Sequence, residues 1–157
     1  FIKILDFGLV KDYSQDGTDQ TQLTREGITT GTPAYMSPET ALGQGEVDAR
    51  SNIYSLGCVA YWLLTGQLVF EEKTSMKVIL QHIQTPPVPP SERSELEIPE
   101  DLEKLVLSCL EKERDQRPQT ALELSRQLGA CQVAEPWTQE RAEQWWTLHQ
   151  PLQPSAG

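Results

Sequence analysis

The chain has 157 residues, 38% of them apolar, which is enough for one domain with its own core and too few for two ordinary ones. Lys and Arg number 13 against 23 Asp and Glu, and the net charge of −10 excludes non-specific attraction to nucleic acid or anionic lipid as a basis for function. The longest apolar run, residues 53–64, is broken by Ser55 and Gly57 and falls short of the ~20 residues that cross a bilayer.

Cys58, Cys109 and Cys131 form no C-x-x-C pair. The first two fall in apolar helical patterns, where a small buried thiol is the ordinary reading, and this favours a reducing compartment. No signal peptide is visible, and a start at Phe1, inside what reads as a strand, is expected to be non-native.

In chain order, residues 1–5 read as a short strand and residues 9–11 as a second. Asp12 to Gly31 is polar and without periodicity, the composition of a surface loop. Pro38 to Leu42 reads as a short helix ended by Gly43. Asn52 to Thr65 is the expected core helix. Ile53, Leu56, Gly57, Ala60, Tyr61 and Leu64 share one face, and Val59, Trp62 and Leu63 fill others, so burial all round is expected, with Gly66 as the stop.

After Thr74, the spacing of Met76, Ile79, Leu80 and Ile83 predicts a second helix with those residues on its apolar face. The run Thr85-Pro86-Pro87-Val88-Pro89-Pro90 ends it, and reads either as a polyproline ligand or, preferably, as a stiff connector. A third helix from Pro99 carries the stripe Leu102, Leu105, Val106, Cys109 and Leu110. Thr120 and Glu123 read as a capping box opening a fourth helix through Leu128, stopped by Gly129. The tail beyond Gln132 has a helix after Pro136-Trp137-Thr138, with Ala142, Trp145, Trp146 and His149 on one side. That side is either a partner or membrane-interface face or, preferably, packed back on the domain.

The stretch from Asp6 to Glu39 organises the chain. It opens with Asp6-Phe7-Gly8 and closes with Gly31-Thr32-Pro33-Ala34-Tyr35-Met36-Ser37-Pro38-Glu39. Order and spacing together resemble the activation segment of a serine/threonine protein kinase, in particular the bacterial, eukaryotic-like members. Asp48-x-x-Ser51-x-Ile53-Tyr54-Ser55-Leu56-Gly57 resembles the start of the central helix of that family's large lobe, and the two helices around Arg117-Pro118 resemble its end. The implied fold is mainly α: a kinase-like large (C-terminal) helical lobe with one or two short N-terminal strands and no N-lobe. Residues 1–129 would be a partial kinase domain and residues 130–157 a Trp-rich extension.

The resemblance implies roles for particular residues. Asp6 would ligate Mg²⁺ bridging the phosphates of ATP. Phe7 would pack against the helix between the lobes, and Gly8 would let the backbone flip. Thr32, flanked by Pro33 and Tyr35, would bond the catalytic Asp and shape the acceptor pocket. Glu39 and Arg117 would form a buried ion pair, for which the planar guanidinium fork is suited. Asn52 stands where the family usually has an Asp that anchors the catalytic loop. Thr24, then Thr29 or Thr30, are the expected phosphorylated residues.

The family's glycine-rich loop, ATP-contacting Lys and His-Arg-Asp catalytic loop precede Asp-Phe-Gly and are not in these residues. No catalytic base is therefore present, and the fragment is expected to be inactive by itself. The resemblance implies protein substrates and ATP as partners, no nucleic acid, self-association for phosphorylation in trans, and a cytoplasmic kinase portion whose parent could be membrane-anchored. The alternative is a pseudokinase, a scaffold with the fold and no catalysis.

Overall fold

The computed structural model describes residues 33–43, 47–133 and 137–149, and these are helical or irregular with no strand among them. Both expected strands and the loop from Asp12 to Gly31 lie outside the described residues.

A 3-10 turn, Pro33–Tyr35, leads into α1, Pro38–Leu42. Ser37 caps α1, its Oγ accepting from the Thr40 N–H at 3.4 Å, and Pro38 supplies a helical φ where no N–H is needed. Gly43, at φ 62°, then turns left-handed and ends the helix. The central helix α2 spans Ala49–Thr65 and starts three residues before the expected Asn52. Asp48 explains the difference: its Oδ1 accepts from the Arg50 N–H at 2.8 Å, a side-chain cap that apolar periodicity does not register.

α2 lies across α4, Glu100–Cys109, and the two share most of the core. Tyr54, Cys58, Tyr61, Val69, Phe70, Val106 and Leu110 form one cluster, while Ile53, Leu105, Cys109 and Leu124 form the other. The crossing is tight at Gly57, where a Cβ would lie 2.7 Å from Cys109 Cβ. The α4 stripe packs as its spacing implies. Cys58 and Cys109 are buried free thiols, pushed up to about 12 and about 11 by that burial, so both are inert at neutral pH.

Burial of α2 all round does not hold. Leu56 is 50% exposed and Leu63 70%, and Val59 and Trp62 are exposed beside them. The buried face is Ser51, Ile53, Tyr54, Gly57, Cys58 and Tyr61. α4 and the loop after α2 cover one side of the helix, and no other described element covers the opposite side. The apolar face of α3, Ser75–Gln84, is also displaced from expectation. Val78 and His82 are buried on it, whereas Met76 (65%) and Leu80 (46%) are exposed. A histidine takes the centre of the face, so a reading by apolar type misplaces it.

The proline run packs on the lobe. Tyr61 donates from its hydroxyl to the Val88 carbonyl at 2.9 Å, and Pro90 is buried at the start of a 3-10 turn, Pro90–Glu92. Arg93 reaches back to the Leu68 and Val69 carbonyls at 3.0 and 3.3 Å, so the segment is a fixed connector. α5, Ala121–Ala130, runs through Gly129 instead of stopping there. Its Thr120 Oγ accepts from the Glu123 N–H at 3.0 Å, but the Glu123 carboxylate returns to the Gln119 N–H, one residue earlier than in a capping box.

The tail helix α6, Gln139–His149, and the residues just before it leave their tryptophans in solvent, with Trp137 62%, Trp145 41% and Trp146 56% exposed. The preferred packing of this face back on the domain is not observed. Trp145 stacks instead on His149 of its own helix, with centroids 4.3 Å apart.

Filling Gly57 has to push α2 from α4, so Gly57→Ala should lower stability by about 1–3 kcal/mol. Leu56→Ala in this chain should change it by no more than about 0.5 kcal/mol, as at other exposed positions. Urea midpoints for the two variants check the pair, and equal shifts would contradict this placement of the helix faces.

Candidate functional site

The site is built outward from Arg117, which is 3% exposed. A buried guanidinium is tolerated only if its donors find acceptors. Here all five do. Nε donates to the Glu111 carbonyl at 2.8 Å; Nη1 donates to Glu39 Oε1 at 2.8 Å and the Arg50 carbonyl at 3.1 Å; Nη2 donates to Glu39 Oε2 at 2.9 Å and the Lys112 carbonyl at 3.0 Å. The two Glu39 bonds are the parallel fork that arginine and carboxylate geometry allow. Glu39 Oε1 also accepts from Ser51 Oγ at 2.5 Å. Burial alone would raise the Glu39 carboxyl, but the bonds from Arg117 and Ser51 outweigh it and hold the group at about 2.

This fork ties α1 to the first turn of α2 and to the loop after α4. Arg50 adds a second strap at the surface, donating to Asp48 at 2.6 Å and to Asp115 at 2.5 Å. From α1 the chain runs directly back into the Pro33–Tyr35 turn. Ser55, on α2, donates to the Tyr35 carbonyl at 2.8 Å and fixes one end of that turn. Beside it a shallow hollow of about 320 Å³ is lined by Pro33, Ala34, Leu68, Phe70, Glu71 and Val78 among others.

Beneath the turn lies an aromatic and cationic layer. The Arg117 guanidinium sits 4.9 Å from the centroid of the Tyr54 ring, and Lys112 Nζ sits 4.8 Å from that of Phe70. Tyr54 bonds through its hydroxyl to His82 Nδ1 at 2.9 Å. His82 is completely buried, and its imidazole meets Phe70 edge-on at 5.0 Å. Burial first, then the Lys112 charge, push His82 down to about 4, so the ring is neutral at physiological pH. Sequence reasoning passed over His82. The available signal was its place four residues after Val78 on the same helix face.

Of the residues singled out in the sequence, Glu39 and Arg117 are in contact and Pro33 and Tyr35 form the turn. Asn52 is exposed on α2, on the side that carries Leu56 and Val59. Asp6, Phe7, Gly8, Thr24, Thr29, Thr30 and Thr32 lie outside the described residues. Among the described residues no three His, Cys, Asp or Glu converge to hold a metal ion, and no helix is long and apolar enough to cross a membrane.

Two measurements check the anchor. Arg117→Ala and Glu39→Ala should each cost about 3–5 kcal/mol, because either leaves a buried charge unpaired. The double variant should cost much less than the two together, and additive effects would exclude the pair. Acid should act in two windows. The folded state binds fewer protons at both His82 and Glu39, so each contribution is lost as pH falls. For His82 the window runs from its ordinary 6.5 to about 4, and for Glu39 from 4.5 to about 2. In His82→Phe the first window should vanish from a plot of stability against pH. Its persistence would assign that titration to another group.

Comparison with known proteins identifies the family of the chain. The protein kinase domain profile matches residues 1–128. The chain is 40% identical over 135 residues to the serine/threonine-protein kinase PknB of Mycobacterium leprae, covering 86% of this chain and 21% of that protein. It is 39% identical over 133 residues to serine/threonine-protein kinase pkn3 of Myxococcus xanthus, covering 83% of this chain and 24% of the relative. To the DNA damage-responsive serine/threonine-protein kinase RqkA of Deinococcus radiodurans it is 40% identical over 137 residues, 87% of this chain and 19% of the relative. The chain thus spans about a fifth of the length of these relatives. The helical lobe, built around a glutamate–arginine fork that the sequence motif places at Glu39 and Arg117, is that of the protein kinase family, and the chain belongs to it alongside bacterial serine/threonine kinases.

Proposed function

We propose that these residues are the activation segment and large lobe of an active serine/threonine kinase, which moves the γ-phosphoryl group of ATP to Ser and Thr hydroxyls of proteins. The observation that carries the reading is the saturated Arg117–Glu39 fork, which holds the end of the Gly31–Glu39 segment to the lobe and so presents the Pro33–Tyr35 turn. Phosphoryl transfer asks a protein chiefly for positioning and charge neutralisation, and this turn is a positioning element.

In this reading Asp6 of the Asp-Phe-Gly triplet is the residue that would hold Mg²⁺, which neutralises phosphate charge when bound. Thr32, the residue before the described turn in sequence, is the one that would bond the catalytic Asp and shape the acceptor pocket. Asn52, exposed on α2, anchors the catalytic loop with one acceptor and no charge. Leu56, Val59 and Leu63, exposed on the same helix, form the apolar seat for the part of the domain that carries the catalytic base. The present residues by themselves transfer no phosphate. Thr24 is phosphorylated first and Thr29 or Thr30 next, in trans between two copies, in a kinase portion that works in the cytoplasm.

The pseudokinase reading draws on Asn52, where the family usually has Asp. One assay separates the two. The full-length protein with ATP, Mg²⁺ and myelin basic protein should incorporate phosphate, and Asp6→Asn should reduce the rate by at least about a hundredfold without lowering thermal stability. Phosphopeptide mapping of the same wild-type reaction should find Thr24 modified. A wild type without transfer would establish the pseudokinase, and an Asp6→Asn protein of near-normal rate would remove the metal role.

A further inference from the structure

The Pro33–Tyr35 turn closes on itself, the Met36 N–H donating to the Pro33 carbonyl at 3.2 Å, so only its seat on the lobe has to be supplied from elsewhere. Tyr35, half-buried, packs against the first core cluster. That contact brings the turn close without orienting it, because apolar attraction has no direction. Substrate positioning requires orientation as well, to a fraction of an ångström. The orienting contact comes from α2.

α2 reaches the segment with two hydroxyls one helical turn apart on one face, Ser51 and Ser55. They are not equivalent. Ser51 is 5% exposed and gives its proton to Glu39 Oε1 at 2.5 Å, a bond strengthened by the carboxylate charge. Ser55 has two acceptors within reach: the Tyr35 carbonyl at 2.8 Å, and the Ser51 carbonyl, four residues back on its own helix, at 3.2 Å. A serine hydroxyl has one proton to give. The shorter distance is the ordinary one for such a bond and the longer lies beyond its usual range, so the proton goes to Tyr35. The Ser51 carbonyl is the acceptor to which a helical serine turns when nothing better is offered. When the turn lifts, the Ser55 proton therefore has a second acceptor already in reach, and the Tyr35 carbonyl, on a turn with no buried residue, is met by water. Neither group is stranded, so the bond opens without the penalty of an unsatisfied buried group.

We propose that Ser55 is a positioning residue for the acceptor side of the site and that it acts as a latch: its hydroxyl holds the Tyr35 carbonyl while the Pro33–Tyr35 turn is seated, and turns back to the Ser51 carbonyl when the turn lifts. Ser51, its proton committed to Glu39, holds the base of the same segment in both positions. One helix face thus carries a permanent tie and a releasable one. The inference rests on the kinase reading in one respect, that this turn lines the acceptor.

Three measurements test it, two of them independent of catalysis. In the chain labelled with ¹³C at tyrosine carbonyls and ¹⁵N at methionine, only the Tyr35–Met36 peptide bond couples the two labels. Its ¹³C resonance should move in Ser55→Ala and in Ser55→Cys, which keeps the size but is a weak donor, and stay in place in Ser55→Thr, which keeps the hydroxyl. A resonance unmoved in both Ala and Cys variants would remove the contact. For the second acceptor, Ser55→Ala should lower Tm by less than half as much as Ser51→Ala, and an equal or larger loss would make the Ser55 bond a fixed one and overturn the latch. In the full-length protein, Ser55→Ala and Ser55→Cys should raise KM for myelin basic protein about fivefold with KM for ATP unchanged, as expected for one lost hydrogen bond, and Ser55→Thr should return it to within about twofold of wild type. A Ser55→Cys protein of wild-type KM, or a matching rise in KM for ATP, would reduce Ser55 to packing and overturn the proposal. A wild-type protein that transfers no phosphate would instead remove the kinase reading, and the carbonyl resonance would still decide whether Ser55 holds the turn.

Discussion

The buried charge of Arg117 is the constraint on which the rest of the lobe depends. Its acceptors come from three places in the chain: the carboxylate of Glu39, the carbonyl of Arg50, and the adjacent carbonyls of Glu111 and Lys112. No local segment could supply them, so the guanidinium is satisfied only when α1, the first turn of α2 and the loop after α4 have all arrived. That makes the ion pair weak as a source of net stability and strong as a specifier of arrangement, because every misplacement strands a donor in a dry site. Lysine could not substitute. Its three donors would leave two of these acceptors unmet, and it has no flat face to lay over Tyr54.

What the sequence disclosed, and what it withheld, follows from the same physics. The ends of α1 and α2 were legible because Gly43 and Gly66 occupy left-handed positions, φ 62° and 68°, that most other residues avoid. The α4 stripe was legible because its neighbours on every side are apolar. The Glu39–Arg117 partnership was legible only through motif resemblance, since the two residues are 78 positions apart and no periodicity links them. The beginning of α2 was not legible from apolar spacing, because the polar Asp48 decides it. The buried face of α3 was missed because its centre is a histidine, which hydropathy assigns to solvent. Its burial becomes intelligible once the Tyr54 hydroxyl and the Phe70 ring are seen beside it.

The largest divergence is the bare side of α2. An apolar helix is buried where something covers it, and hydropathy counts residues without counting neighbours. Asn52, Leu56, Val59 and Leu63 fall four, three and four residues apart, a continuous stripe on one side of the helix. The opposite side, with Tyr54, Cys58 and Tyr61, is as dry as a protein interior. Under the proposed function the stripe is where the remainder of the catalytic domain sits. The pattern of α2 then records two interfaces, one of which the described residues fill.

The turn beside the hollow is held differently from the helices. The α2–α4 crossing relies on close packing, in which Gly57 leaves no space and small displacements cost many contacts at once. The Pro33–Tyr35 turn contains no buried residue and is tied by the Ser55 hydroxyl, which donates to the Tyr35 carbonyl at 2.8 Å. Such contacts fix direction sharply, but each contributes only ~0.5–1.5 kcal/mol, so the turn can be held in place or released at modest cost. Under the proposed function, an element that must be exact when a substrate is present and remodelled by a phosphate upstream needs that combination. The close-packed α2–α4 crossing provides the reference frame, and the Ser55 tie holds the turn against it.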